Sequence, residues 1–244
     1  RLGRYERSHE AFSRSRTIYS TLRTAPPPGY VGEPVLGMAL LADVLGNYED
    51  AVKLACMALE SAIARSDTYN QVVAYYVLSS TSYVQGEYDD ARRQAEYAYA
   101  LAAASDNLWM MAYIAIILGN VARACGDYVE ARKYYTQGYA IQSELGNPEG
   151  MAAAQLSLAR LAAVQHNYQE AERLFQDSYV LYREINDPGG QIRACIGLGD
   201  VAQACGNFVQ ACRHFHAGME LAVAIRSAPL LLAQFTPIGE LLAM

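Results

Sequence analysis

Lysine is nearly missing from this 244-residue chain: of its 19 basic residues only Lys53 and Lys133 are lysine, a usage that fits a GC-rich bacterial genome. The arginines are scattered, and the net charge is −6. Phosphate binding needs a concentrated basic face, so nucleic acid is not expected as a direct partner. Cysteine is sparse and odd in number (Cys56, Cys125, Cys195, Cys205, Cys212). That excludes a disulfide scaffold in a chain of this size and predicts reduced packing residues of a cytoplasmic protein. No secretory signal is legible, and the longest apolar run, Trp109 to Leu118, is too short to cross a bilayer as a helix, so no membrane association is expected. Catalytic signatures are missing too: there is no G-x-x-x-x-G-K-[ST], G-x-S-x-G or H-E-x-x-H, and no pair of Cys-x-x-Cys. No catalytic residue, cofactor or metal is therefore expected. Cys212, His214 and His216 could seed a metal site, but a structural zinc wants four ligands. They read as exposed polar residues of a helix.

What the chain has in abundance is itself. Gly126-Asp127-Tyr128-Val129-Glu130-Ala131 recurs as Gly46-Asn47-Tyr48-Glu49-Asp50-Ala51, Gly86-Glu87-Tyr88-Asp89-Asp90-Ala91, His166-Asn167-Tyr168-Gln169-Glu170-Ala171 and Gly206-Asn207-Phe208-Val209-Gln210-Ala211, forty residues apart each time. A further copy, Gly3-Arg4-Tyr5-Glu6-Arg7-Ser8, stands forty-three residues before the Gly46 copy. A fixed period of this size predicts a solenoid, in which each repeat buries its apolar face against its neighbours. Two more columns share the spacing. Asp67, Asn107, Asn147, Asp187 and Ser227 are helix N-cap residues, with Pro148 and Pro188 at the first helical position. Ala39, Ser79, Gly119, Ala159, Gly199 and Gly239 are small. These marks cut each repeat into a helix A, about 148–165 in one copy, and a helix B, about 168–185, joined at a glycine able to take positive φ. Tyr48, Tyr88, Tyr128 and Tyr168 are expected in a packing column at the turn.

With Leu118, Gly119, Gly126, Tyr128, Ala131 and Tyr135, or Leu198, Gly199, Phe208, Ala211 and Phe215, the pattern resembles the tetratricopeptide repeat. That family's repeat is 34 residues, so each copy here carries six more. Turns such as Leu145-Gly146-Asn147-Pro148 and Ile185-Asn186-Asp187-Pro188 resemble the long repeats of bacterial signal-transduction ATPases and LuxR-type regulators. The resemblance implies an all-α fold, a right-handed superhelical solenoid of antiparallel helix pairs, as one domain over 1–244. Its parts are a half repeat 1–23, repeats at about 33–66, 67–106, 107–146, 147–186 and 187–226, and a half repeat 227–244. An array that starts at helix B and stops within helix A is expected to be a segment of a larger regulatory protein, self-associating through its open ends.

By the family's geometry helix A lines a concave groove. The side chains placed there include Tyr76, Tyr83, Tyr113, Asn120, Arg123, Arg160, Arg193 and Asp200, with Leu36, Leu40 and Asp43 in the earlier repeat. Arginine forks suit carboxylate or phosphate, and tyrosines give flat apolar contact. An acidic peptide, a partner domain or a small anionic effector fits that combination. The alternative is that Arg160 and Arg193 pair with Asp200 across adjacent helices. The function so implied is a non-enzymatic interaction or sensor module. A free-standing adaptor is the alternative, followed by an enzyme accessory such as a phosphatase regulator. The connection Thr24-Ala25-Pro26-Pro27-Pro28-Gly29-Tyr30-Val31-Gly32 is either a docking segment or a lengthened loop.

Overall fold

Alanine in the third position after the turn motif lets two helix backbones approach closely, and that column is sealed: Ala51, Ala91, Ala131, Ala171 and Ala211 are all 0% exposed. The computed structural model describes residues 34–225 together with 10, 11, 13 and 14, the last four helical. The Gly3–Ser8 motif, the Thr24–Gly32 connection, Ser227, Gly239 and the half repeat 227–244, with the self-association expected of the open ends, lie outside the described residues. Among the described residues there is no strand. Ten helices follow in order: α1 Pro34–Val44, α2 Tyr48–Ala64, α3 Thr68–Gln85, α4 Tyr88–Ala104, α5 Leu108–Ala124, α6 Tyr128–Glu144, α7 Pro148–Val164, α8 Tyr168–Glu184, α9 Pro188–Ala204 and α10 Phe208–Ala224. Odd-numbered helices are the A helices and even-numbered ones the B helices. They fall into two compact units divided between Asp127 and Tyr128, so α1–α5 belong to one and α6–α10 to the other.

Both ends of the repeat are set by local chemistry. Asp67, Asn107, Asn147 and Asp187 each accept a backbone N–H two or three residues on, at 3.1, 3.1, 3.4 and 2.9 Å. Each such cap contributes about 1 kcal/mol. Helix A ends in a residue with positive φ, between 77° and 83° at Gly46, Gly86, Gly126 and Gly206. Glycine takes this conformation without a Cβ penalty. In the copy lacking it, His166 holds φ at 59°, and its Nδ1 sits 2.9 Å from the Tyr168 hydroxyl.

In the turn-aromatic column Tyr48, Tyr128 and Tyr168 are half-buried, Tyr168 against the core cluster as a packing column predicts, whereas two members are more open. Tyr88 is 37% and Phe208 42% exposed, because the first residue of helix B lies beside an open turn. The buried rings stand about two turns further on, at Tyr135, Phe175 and Phe215, and about four turns on at Tyr182. Of the cysteines only Cys195 is a packing residue, and burial pushes its thiol up to about 11. The other four are exposed, on the outer sides of α2 and α10 and at the ends of α5 and α9.

Three large rings of the second unit, Phe175, Tyr182 and Phe215, occupy space that a glycine leaves. A methyl group on Gly197 would lie 2.3 Å from Cε1 of Phe175, and one on Gly190 would lie 2.1 Å from Cδ1 of Tyr182. Forty residues before these two pairs stand Tyr135 with Ser157 and Gln142 with Gly150, all buried. The first unit reverses the assignment. Its equivalents are Ala55 with Val77, Ala95 with Ile117, Ala62 with Asn70 and Ala102 with Met110, again all buried. Thus the A helix supplies the large side chain in the first unit and the B helix supplies it in the second. Summed volume is what close packing conserves.

Phe175→Ala is expected to cost about 3–5 kcal/mol, and Gly197→Ile alone should destabilise by driving a side chain into the ring. Combined, they recreate the Ala95–Ile117 arrangement, so the double variant should be more stable than the two losses added together predict. Urea denaturation of the four proteins measures this coupling; strictly additive losses would refute the exchange of volume.

Candidate functional site

Helix A must satisfy two neighbours with one face each, so only its third face is left to present side chains. In α3 the residues Val73, Tyr76, Ser80 and Tyr83 follow one another at helical spacing, and in α5 the residues Tyr113, Ile116, Asn120 and Arg123 do the same. Val73 is buried; the other seven are half-buried, accessible on one side and held on the other. Arg160 and Asp200 are exposed, and Arg193 is half-buried.

Within the first unit the A-helix face is cross-linked from one repeat to the next. Arg123 donates from Nη2 to the Tyr83 hydroxyl at 3.0 Å, and the Tyr83 ring lies 6.0 Å from that of Tyr88. The Asp43 carboxylate accepts from Thr81 Oγ1 at 2.9 Å and from Ser80 Oγ at 3.2 Å. Burial nevertheless raises the Asp43 carboxyl above the usual aspartate range, since the two hydroxyls only partly offset the lost water. The remainder of this face is nearly uncharged: α3 contains no Asp, Glu, Lys or Arg, and α5 contains only Arg123, in its last turn.

Two aromatic side chains of this face were not singled out from the sequence. Trp109, 48% exposed, packs against Tyr113 with ring centroids 4.7 Å apart. Tyr69, 39% exposed, occupies the same register one repeat earlier. Both are second residues of their helices, one turn before the slots assigned from family geometry. Their column, Tyr69, Trp109, Glu149 and Gly189, carries no common residue type, and only their exposure marks them.

In the second unit, Arg160 of α7 and Arg193 of α9 are brought to the same side chain, Tyr182 of α8. The Arg193 guanidinium lies 5.5 Å from the centre of the Tyr182 ring, and both arginines act electrostatically on its phenol. Burial raises that phenol above its ordinary range, with Arg193 opposing the shift. Arg193 pairs within its own helix: its Nη2 lies 3.8 Å from Asp187 Oδ2, the N-cap one and a half turns earlier. A half-exposed pair of this kind contributes at most about 1 kcal/mol. Its effect is to fix where the guanidinium stands. Cross-links on the B side, such as Arg132 to Glu170 at 2.9 Å, hold the Glu170 carboxyl below its ordinary range.

Among the described residues no group of three or more His, Cys, Asp or Glu is arranged to hold a metal ion, and no helix is long and apolar enough to cross a membrane. What the face offers is aromatic planes with hydrogen-bonding edges in one unit and arginine side chains, Arg193 among them over the Tyr182 ring, in the other.

The raised Asp43 carboxyl makes ionisation a cost in the folded state, one that is absent below the unfolded pKa of about 3.9 and grows as pH rises through the folded value. Asp43→Asn keeps an acceptor for Thr81 and removes that cost. The variant should therefore be more stable than the parent at pH 7, with the gain shrinking toward pH 3.5. Denaturation midpoints at the two pH values check this; a gain of equal size at both would contradict it.

Family models described as tetratricopeptide repeat match residues 110–184 and 192–217. No curated protein matches the sequence. Among solved structures, BtubC (BKLC) from P. vanneervenii is 20% identical with a TM-score of 0.69, the match covering 91% of this chain and 92% of that one. A Rap protein in complex with competence and sporulation factor is 13% identical with a TM-score of 0.71, over 98% of this chain and 71% of its own. A signal transduction ATPase with numerous domains from Pyrococcus horikoshii, which carries a tetratricopeptide repeat sensor, is 16% identical with a TM-score of 0.63. That match covers 88% of this chain but only 34% of the ATPase.

Proposed function

We propose that this chain, which matches tetratricopeptide-repeat models over residues 110–184 and 192–217, is a binding module that takes a peptide segment of a partner protein on its A-helix faces and reports occupancy within a regulatory system. The observation that carries this reading is the division of labour between the helices. B helices spend their inward residues on packing, whereas A helices hold half-exposed Tyr76, Tyr83, Tyr113, Asn120 and Arg123 in the first unit and Arg160 and Arg193 in the second. Cross-links at Tyr83, Asp43 and Asp187 fix several of these side chains before any ligand arrives, which lowers the entropy lost on binding. A sensing role is favoured by two of the similar structures, one holding a signalling factor and one whose repeats are a sensor. All five thiols are unbonded, which favours the cytoplasm as the compartment.

The test is a positional-scanning peptide library passed over the immobilised full chain. The proposed function predicts selective retention of a subset of peptides by the parent and its loss from Arg123→Glu with Arg160→Glu, at a melting temperature within a few degrees of the parent's. A library that passes through unretained, or is retained equally by the double variant, would overturn it.

A further inference from the structure

Asp43, Tyr83 and Arg123 form one column across the last turns of α1, α3 and α5, helices that pack in that order within the first unit. A helix C-terminus carries partial negative charge and favours a cation beside it. At α5 the chain supplies that cation itself: Arg123 stands in the last turn and donates to the Tyr83 hydroxyl. At α1 the same position holds a carboxylate, and neither α1 nor α3 has a basic residue in its last turn. Two sources of negative potential therefore meet at Asp43. The chain offsets them only in part. Ser80 Oγ and Thr81 Oγ1 donate to the carboxylate at 3.2 and 2.9 Å, but the Thr81 hydroxyl lies equally close, 2.9 Å, to the Val77 carbonyl. A hydroxyl has one hydrogen to give, whereas a carboxylate has about four lone-pair sites to fill. Among the described residues these two hydroxyls, and no cation, act on the Asp43 carboxyl.

Tying α1 to α3 does not require a charge, because an amide at position 43 would also accept from a hydroxyl. A half-buried carboxylate kept where a neutral acceptor would serve points to a functional group. Its surroundings suit a long basic side chain. Leu40, one turn before Asp43, and Tyr76, one turn before Ser80, are both half-buried and pack on the same core cluster as each other. They offer apolar surface to a methylene stem, and a guanidinium fork matches the two oxygens of a carboxylate. We propose that Asp43 receives an arginine of the partner segment, with the guanidinium on the carboxylate at the C-terminal end of α1 and the stem against Leu40 and Tyr76. The proposal rests on the binding-module reading and gives the partner one basic residue at the α1 end of the face.

The probes are acetylated and amidated pentapeptides, Ser-Leu-Xaa-Leu-Ser, with arginine, citrulline or glutamate at the centre. Citrulline keeps the shape of arginine and lacks its charge. Each is titrated into the full chain while the backbone amide signals are followed by NMR. The arginine peptide should shift the signals of Asp43, Ser80 and Thr81 saturably. The citrulline peptide should bind at least about tenfold more weakly, as loss of a hydrogen bond to a charged group predicts, and the glutamate peptide more weakly still. Asp43→Asn should abolish the preference for arginine over citrulline without lowering the melting temperature, and Asp43→Glu, which restores the charge, should recover part of it. A carboxylate that only ties the two helices together would leave that preference unchanged in Asp43→Asn, and this result overturns the proposal. No shift at millimolar arginine peptide, equal affinity for arginine and citrulline, or shifts confined to other residues overturn it as well. Those outcomes leave the binding-module reading standing, whereas failure of the library experiment removes both.

Discussion

Everything in this protein depends on filling a fixed gap between a B helix and the A helix that follows it. The gap is fixed because the small columns bring backbones together at 0% exposure, at Ala51 and Ala171 as at Ala39 and Ala159. Side chains filling it can come from either wall. Phe175 and Tyr182 reach across to Gly197 and Gly190, whereas Val77, Ile117 and Met110 reach the other way toward alanines. Dense interiors tolerate little change in volume. A large residue on one wall therefore compels a small one on the other, and the choice is made repeat by repeat.

Helices held this way leave the A-helix face as a stable platform. The platform differs between the two units for reasons visible in their residues. In the first, the A helices are almost uncharged and supply tyrosines and Trp109, with Arg123 tied to Tyr83. In the second, the rings have gone inward to fill the glycine gaps, and the face is left with arginines ordered by Tyr182 and Asp187. Packing choice and surface chemistry are thus linked. An aromatic column spent on the core in one unit is matched by an aromatic column displayed at the surface in the other.

The period, the helix pairs and the caps were legible because each depends on one residue type at one position: a glycine needing positive φ, a side-chain acceptor at an N-cap, an alanine at a close approach. Helix bounds of 148–164 and 168–184 fall within a residue of those predicted. The volume exchange was not legible column by column. Ala95 and Phe175 look unrelated until each is compared with its partner twenty-two residues on, Ile117 or Gly197. Within the turn-aromatic column Tyr168 packs against the core while Tyr88 and Phe208 stand more open at their helix starts, a difference that no residue type in the column marks. The pairing of Arg193 with Asp187, beside the ring of Tyr182, was not legible because the sequence offers Asp187 only as a helix cap. Tyr69 and Trp109 escaped notice because their column changes character in every repeat.

The central claim is that B helices build the frame and A-helix faces do the binding. Hydroxyl-radical footprinting of the full chain, alone and with the peptides it retains, tests it at the level of single side chains. Tyr69, Tyr76, Trp109 and Tyr113 should become protected, while Tyr97, Tyr139 and Tyr179 on the B helices should react as they do in the free protein. Protection of the B-helix tyrosines with the A-helix aromatics unchanged would contradict the account.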